Sequence, residues 1–263
     1  MKLDSNVSAV VTGGASGLAR ATATALAEQG VKVAIFDLNE DGGKQVAKEI
    51  GATFHKVDVT DEDSAVAGFE EARAANGQER ILVHCAQVSR GGKTLRRNRD
   101  TGELTRLPTE DFAFSAEGIL VASYRMASLS ALGMAGLEPM EDDERGCITL
   151  TGSVAAQDAQ IGQICYGSAK AGVAGLALPL ARDLMDLGIR ANTILPGIFE
   201  TPPMLAVKDR APQVFEGLNR SVPFPKRLGR PSEFASLVLE LNRNCYFNGQ
   251  VIRLDGAIRM PPK

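Results

Sequence analysis

Three residues can act together on a carbonyl or a secondary alcohol: Ser153, Tyr166 thirteen positions on, and Lys170 four positions beyond that. Tyr166 can give or take the proton on a substrate oxygen, but a free phenol, with a pKa of about 10, is a poor base at neutral pH. Lys170 shares a face with Tyr166 if the stretch is helical. Its positive charge favours the phenolate, and it can also anchor a cofactor ribose. Ser153, at the end of a short apolar run, can hydrogen-bond the substrate oxygen. A tyrosine and a lysine meet at this spacing often by chance, so the set gains meaning only with a binding place for a hydride carrier.

The start of the chain offers that place. An apolar strand ends in Thr12-Gly13-Gly14-Ala15-Ser16-Gly17-Leu18-Ala19. Glycines there allow a tight turn and a close approach to a pyrophosphate, which the next helix N-terminus can hold. Asp37 closes the second strand about twenty residues on, where a carboxylate accepts hydrogen bonds from an adenosine ribose and repels a 2′-phosphate. NAD is therefore the expected cofactor, in preference to NADP. Arg20 near the loop would favour a phosphate, yet Asp37 addresses the ribose directly. Asp58, ending the third strand, can accept a bond from an adenine amino group or cap the following helix.

These residues need a sheet to hold them. Apolar strands are expected at Ala9–Thr12, Val31–Phe36, Thr53–Val57, Arg80–Cys85, Gly146–Thr151, Ile189–Ile194 and Gly249–Leu254. Helical patterns alternate with them: Ser16 to about Gln29, Gly42–Ile50, Thr60–Asn76 with Thr60 as N-cap, Thr109 to about Gly133, Ser168 to about Leu187, and Glu233–Leu241. Strands apolar on both faces, in alternation with helices, predict an α/β fold: a Rossmann-like doubly wound parallel sheet in three α/β/α layers. One domain over 1–263 is the simplest reading. Residues 88–107 break the rhythm, with six basic residues against two acidic; a long loop or small hairpin is expected, either a solvated insertion or a rim that attracts an anionic substrate. Residues 198–225, with five prolines and little periodicity, suggest a lid.

Composition narrows the partners. With 263 residues, 44% hydrophobic and 23% charged, the chain can bury a large core without disulfide or metal staples. A net charge of −3 gives no general attraction to nucleic acid. Two histidines are too few for a histidine metal cluster, and the four cysteines match no metal-finger spacing. They read as reduced thiols in a reducing, cytoplasmic compartment. MKLDSNVSAVVTGG runs into the first strand without an apolar signal segment, and the apolar runs are expected to fall short of a membrane span.

Together the loop at Gly13–Ala19, Asp58, Ser153, Tyr166, Lys170 and Pro196-Gly197 resemble the short-chain dehydrogenase/reductase family. The resemblance spans almost the whole chain. The insertion at 88–107, GSVAAQDAQIGQICYGSAK, LPLARDL, VPFPKRLGRPSE and NGQVIRLDGAIRM resemble its subgroup of type 2 3-hydroxyacyl-CoA and hydroxysteroid dehydrogenases. This implies a seven-stranded doubly wound fold, a homotetramer, NAD(H) and oxidation of a secondary alcohol or its reversal. It implies Ser153, Tyr166 and Lys170 as the catalytic residues. The implied cofactor cradle is Gly13, Ser16, Gly17, Leu18, Asp37, Asp58, Val59, Cys85, Ala86, Tyr166, Lys170, Pro196, Gly197, Ile198 and Thr201. The implied substrate side is Ser153, Gln163, Tyr166, Met204 and Leu205, and Phe199, Pro202, Phe215 and Leu218 are further candidates for an apolar pocket.

Three positions depart from the family pattern. The third glycine of the nucleotide loop is Ala19. The family's Asn-Asn-Ala-Gly is His84-Cys85-Ala86-Gln87, in which Gln87 must turn away or narrow the site. Ile119 stands where the family has an asparagine that holds a proton-relay water, and isoleucine has no side-chain polar atom for that task. The expected function is an NAD-dependent interconversion of a secondary alcohol and a ketone, on a 3-hydroxyacyl-CoA or a hydrophobic ring alcohol. The alternative is a weakened or non-catalytic nucleotide-binding protein.

Overall fold

The computed structural model describes residues 1–263. Nine strands form: β1 (Ser8–Thr12), β2 (Lys32–Asp37), β3 (Thr53–Lys56), β4 (Ile81–His84), β5 (Leu95–Arg97), β6 (Leu104–Arg106), β7 (Gly146–Thr151), β8 (Ile189–Pro196) and β9 (Val251–Leu254). Seven make one parallel sheet in the order β3-β2-β1-β4-β7-β8-β9, and β5 and β6 pair separately as an antiparallel hairpin. The main helices are α1 (Gly17–Glu28), α2 (Glu40–Ile50), α3 (Glu62–Asn76), α4 (Thr109–Ala116), α5 (Ala122–Ala135), α6 (Ala155–Asp158), α7 (Ile164–Asp183), α8 (Pro202–Arg210), α9 (Pro212–Ser221) and α10 (Pro231–Arg243).

Alternation along each strand builds two cores. Ala9 and Val11 of β1 join α1, α2 and α10 on one face, whereas Val10 joins α3, α5 and α7 on the other. This is the doubly wound three-layer arrangement the apolar strands predict. After β1 the chain winds outward through β2 and β3, then returns to the far side of β1 with β4. The C-terminal ends of β1 and β4 therefore flank a topological switch point, where a crevice opens.

Several local expectations change. The N-cap of α3 is Asp61, whose Oδ1 accepts from Ser64 N at 2.7 Å, not Thr60; Thr60 bonds back to Asp58. Helix α7 starts at Ile164, earlier than expected, so Tyr166 and Lys170 both lie inside it. The basic insertion is a small hairpin with both strands exposed. Residues 198–225 contain α8 and α9, with Pro202 and Pro212 in their first turns, where a missing N–H costs no helix bond. Residues Thr109–Ala135 and Ile164–Asp183 reach the length and hydropathy of a membrane span, contrary to the expectation; about half of each lies buried in the protein.

Candidate active site

The long helix from Thr109 is interrupted by a π turn at Glu117–Val121, between α4 and α5. Packed directly against this turn, with Gly172 beside Leu120, α7 presents Tyr166 and Lys170 one turn apart, with Lys170 Nζ 5.8 Å from the Tyr166 ring centroid. Lys170 is 3% exposed and donates to the carbonyl of Thr151, at the end of β7, at 2.6 Å. Burial is the main cause that pulls its pKa down to about 8. Ser153, two residues past β7, accepts from Ala155 N at 3.1 Å, so its hydroxyl proton remains available to a substrate oxygen.

These groups share one cleft of about 930 Å³ with the glycine loop and Asp37. Every cofactor-side residue expected from the sequence lines it: Gly13, Ser16, Gly17, Leu18, Asp37, Asp58, Val59, Cys85, Ala86, Tyr166, Lys170, Pro196, Gly197, Ile198 and Thr201. Ser153, Gln163 and Met204 line it too, with Phe199, Pro202 and Leu218. Leu205 does not; it is exposed on α8 beside Met204. Phe215 is likewise absent from the lining and is buried. Met260, the last residue of the NGQVIRLDGAIRM segment, lines the cleft, although nothing in the sequence assigned it to the site.

The loop geometry suits a dinucleotide. Gly13 and Gly17 have φ of +77° and +58°, in the left-handed region that favours glycine. A side chain on Gly13 would come within 3.1 Å of the Ala86 backbone, so the bare loop is what lets β1 and the end of β4 approach each other under the crevice. Asp37 accepts from Ala15 N at 3.0 Å and Asn39 N at 2.9 Å, which holds its carboxylate beside the loop. Asp58 uses Oδ1 for Thr60 and leaves Oδ2 for a ligand donor. Arg20, the residue that argued for a phosphate, is paired with Glu49 at 2.8 Å and does not line the cleft.

The three departures have different consequences. Ala19 lies in ordinary helical backbone of α1, where it is buried with the core and also borders the cleft. Gln87 is exposed at the cleft and needs no left-handed backbone. Ile119 is 1% exposed within the π turn, and its carbonyl accepts from Ser123 Oγ at 2.6 Å. Neither of its polar sequence neighbours replaces an asparagine there: Glu117 pairs with Arg125 at 2.8 Å, and Ser115 bonds the backbone of Arg90.

Just below the crevice, Thr12 Oγ1 accepts from the backbone N–H of Cys85 and of Ala86 at 3.1 Å each and lies 2.8 Å from His84 Nδ1. Cys85 Sγ lies 3.1 Å from Thr151 Oγ1, and burial raises its pKa to about 11, so it stays a thiol. All four cysteines are free.

The insertion reaches the site at its base. Gly92 N donates to Gly162 O at 2.9 Å, and Gly92 and Gln163 form a bridge. Gln163 Oε1 accepts from Gln160 N at 2.9 Å, leaving its amide N–H groups to a ligand.

Known proteins share this arrangement. The family model described as enoyl-(acyl carrier protein) reductase matches residues 13–258. The 3-hydroxyacyl-CoA dehydrogenase type-2 of Drosophila melanogaster is 45% identical over 259 residues, covering 98% of this chain and 99% of the relative. That of Homo sapiens is 41% identical, covering 97% and 95%. A crystal structure of 3-hydroxyacyl-CoA dehydrogenase type-2 from Mycobacterium avium superposes with a TM-score of 0.90 at 40% identity over all of both chains. The site's geometry and these matches agree: the chain belongs to the short-chain dehydrogenase/reductase superfamily, in its type-2 3-hydroxyacyl-CoA dehydrogenase subgroup.

Proposed function

We infer that this chain is an NAD-dependent oxidoreductase that interconverts the secondary alcohol and the ketone of a 3-hydroxyacyl-CoA-type substrate. The observation that carries this reading is the gathering of Ser153, Tyr166 and Lys170 in the same cleft as a glycine loop and the ribose-directed Asp37. Bound NAD supplies the hydride acceptor or, reduced, the donor. The residues that would hold it are Gly13, Ser16, Gly17 and Leu18 at the pyrophosphate, Asp37 at the adenosine ribose, Asp58 at the adenine, and Lys170 with Cys85 and Ala86 near the reacting end.

The chain's own residues do the acid–base work. Ser153 Oγ orients the substrate oxygen with its free proton. Tyr166 Oη takes the hydroxyl proton in oxidation or returns it in reduction. Lys170, when charged, stabilises the phenolate one turn away. Gln163 and Met204 border the acyl side. The basic insertion, tied at Gly92 to Gly162 and Gln163, adds Arg90 to the cleft lining and carries further exposed positive charge on its hairpin, which would suit the phosphates of a coenzyme A thioester.

We also propose a homotetramer. Val121 at the end of the π turn, Tyr124 and Leu132 of α5 and Leu178 of α7 are exposed apolar side chains on the helices of one sheet face, suited to a second copy.

Turnover of NAD with a panel of 3-hydroxyacyl-CoA thioesters and ring alcohols, followed by nicotinamide absorbance, tests the reading. Tyr166→Phe is expected to lower kcat by about 100-fold or more, with NAD binding kept. Tight NAD binding without turnover of any substrate would instead favour a nucleotide-binding protein whose Ile119 and Gln87 mark a lost activity. Absence of NAD binding would sink both.

A further inference from the structure

His84 carries an atom that the fold leaves without a partner. It is 2% exposed, and as the last residue of β4 it projects like Leu82, toward the layer that holds Ile119 of the π turn and Ala169 of α7. Thr12 fixes its tautomer. Because the Thr12 oxygen accepts two backbone N–H bonds, its own proton goes to His84 Nδ1. The ring proton therefore sits on Nε2, which is buried and makes no hydrogen bond.

A second under-satisfied group lies one rung away. His84 pairs in register with Leu150, and the next residue, Thr151, offers its carbonyl to Lys170 Nζ. That is the lysine's one hydrogen bond, so two of its three N–H donors are unused. Burial and then the Lys170 charge lower the His84 pKa to about 3, which keeps the imidazole neutral at working pH. His84 feels the Lys170 charge through the buried interior, and two buried groups of one region, both short of partners, are what an internal water satisfies, since one molecule can accept from both and still donate onward.

We propose that His84 is a positioning residue for proton transfer: its Nε2–H anchors a buried water that also accepts from Lys170. The polar anchor of the proton path then sits on the sheet, and Ile119 is tolerated on the helix. The proposal rests on the dehydrogenase reading above. In alcohol oxidation, the substrate hydroxyl proton enters at Tyr166 Oη, Lys170 Nζ gives one proton to the water, the water gives one to solvent, and Tyr166 then returns its proton to the Lys170 amine, so that one proton enters and one leaves and both groups are restored. The C–H electron pair departs with the hydride, and His84 keeps its own proton throughout.

Nitrogen-resolved NMR of the imidazole in the cofactor-free full chain tests the anchor without activity. The expected result is an Nε2–H tautomer that persists to about pH 5 and shows a cross-peak from its proton to water. A proton on Nδ1, or an Nε2–H with no water contact, would overturn the proposal even if the enzyme turns over.

In the loaded enzyme, His84→Leu should lower kcat about 10-fold or more and alter its pH profile, with KM for NAD changed less than about 2-fold. His84→Gln, which keeps an N–H donor, should recover most of the loss. Ile119→Asn should help the His84→Leu background and leave the wild type nearly unchanged. A His84→Leu enzyme with wild-type kcat and pH profile, or a Gln variant no better than Leu, would reject the role. If His84→Leu fails to fold, the Gln variant and the NMR measurement still decide. A wild type without turnover on any thioester would reject the dehydrogenase reading and leave the NMR result standing by itself.

Discussion

Lys170 shows how one residue can be placed for chemistry at a cost to folding. Removing an ammonium from water disfavours its charged form, so its pKa falls from 10.5 to about 8 in the folded chain. Below about pH 8 the folded state must hold a buried charge, with one carbonyl for a partner. Between about 8 and 10.5 the unfolded chain binds the extra proton, so stability rises with pH across that window and falls again as pH drops back through it. Lys170→Met is therefore expected to be more stable than the wild type at pH 7 in the absence of cofactor, by on the order of 3 kcal/mol, and to lose that advantage near pH 10.5. Urea unfolding at both pH values checks this; parallel wild-type and variant curves would show that the lysine does not titrate as its burial requires. The same variant should be inactive, since Tyr166 would lose its neighbouring cation. That Lys170 and Tyr166 work together was legible from their spacing. That Thr151 O would hold the lysine, with His84 on the neighbouring strand, was not, because those residues come together only when β4 and β7 lie side by side.

At the scale of elements, the strands were readable because both faces of a covered parallel sheet must be apolar. The failures came where one residue type has two structural meanings. Pro202 and Pro212 read as breaks in an irregular lid, whereas each opens a helix. The interruption at Glu117–Val121 leaves no mark in a helical hydrophobic period. Gly118, inside that turn, shows what it does. A Cβ there would run into the Val88 carbonyl, while Val88 N donates to Gly118 O at 3.2 Å. The turn thereby clamps the segment just after Cys85 and Ala86, which floor the cofactor cleft. Gly118→Ala has to move backbone rather than a flexible side chain. It should cost about 1–3 kcal/mol in denaturant unfolding and weaken NAD binding measurably. A variant of wild-type stability and affinity would mean that the turn and the Val88 segment move independently.

For the molecule as a whole, the question is what its outer helix surfaces are for. Along α7 the residues at one helical face, Ala171, Gly175 and Leu178, are exposed, while Val173 and Ala177 on the opposite side are buried. Small residues on an exposed face let another helix approach closely. Gly175 separates the fold from the assembly, because a Cβ at that position would meet nothing within 4 Å in the single chain. The monomer thus gives no reason for glycine in mid-helix, where it costs roughly 1 kcal/mol relative to alanine. Leu132 on α5, 76% exposed, is equally unexplained by the monomer. The proposed second copy, laid across α5 and α7, would account for both. Gly175→Glu should therefore keep or raise the stability of the folded chain, since a helix former replaces glycine without an internal clash. In the same protein the tetramer expected for the wild type should fall to a lower oligomer by sedimentation equilibrium, because a charged side chain would stand where the second helix must approach. If Gly175→Glu remains tetrameric, the assembly uses another surface. If it unfolds, the larger side chain meets the folded chain itself, and the argument for this face fails with it.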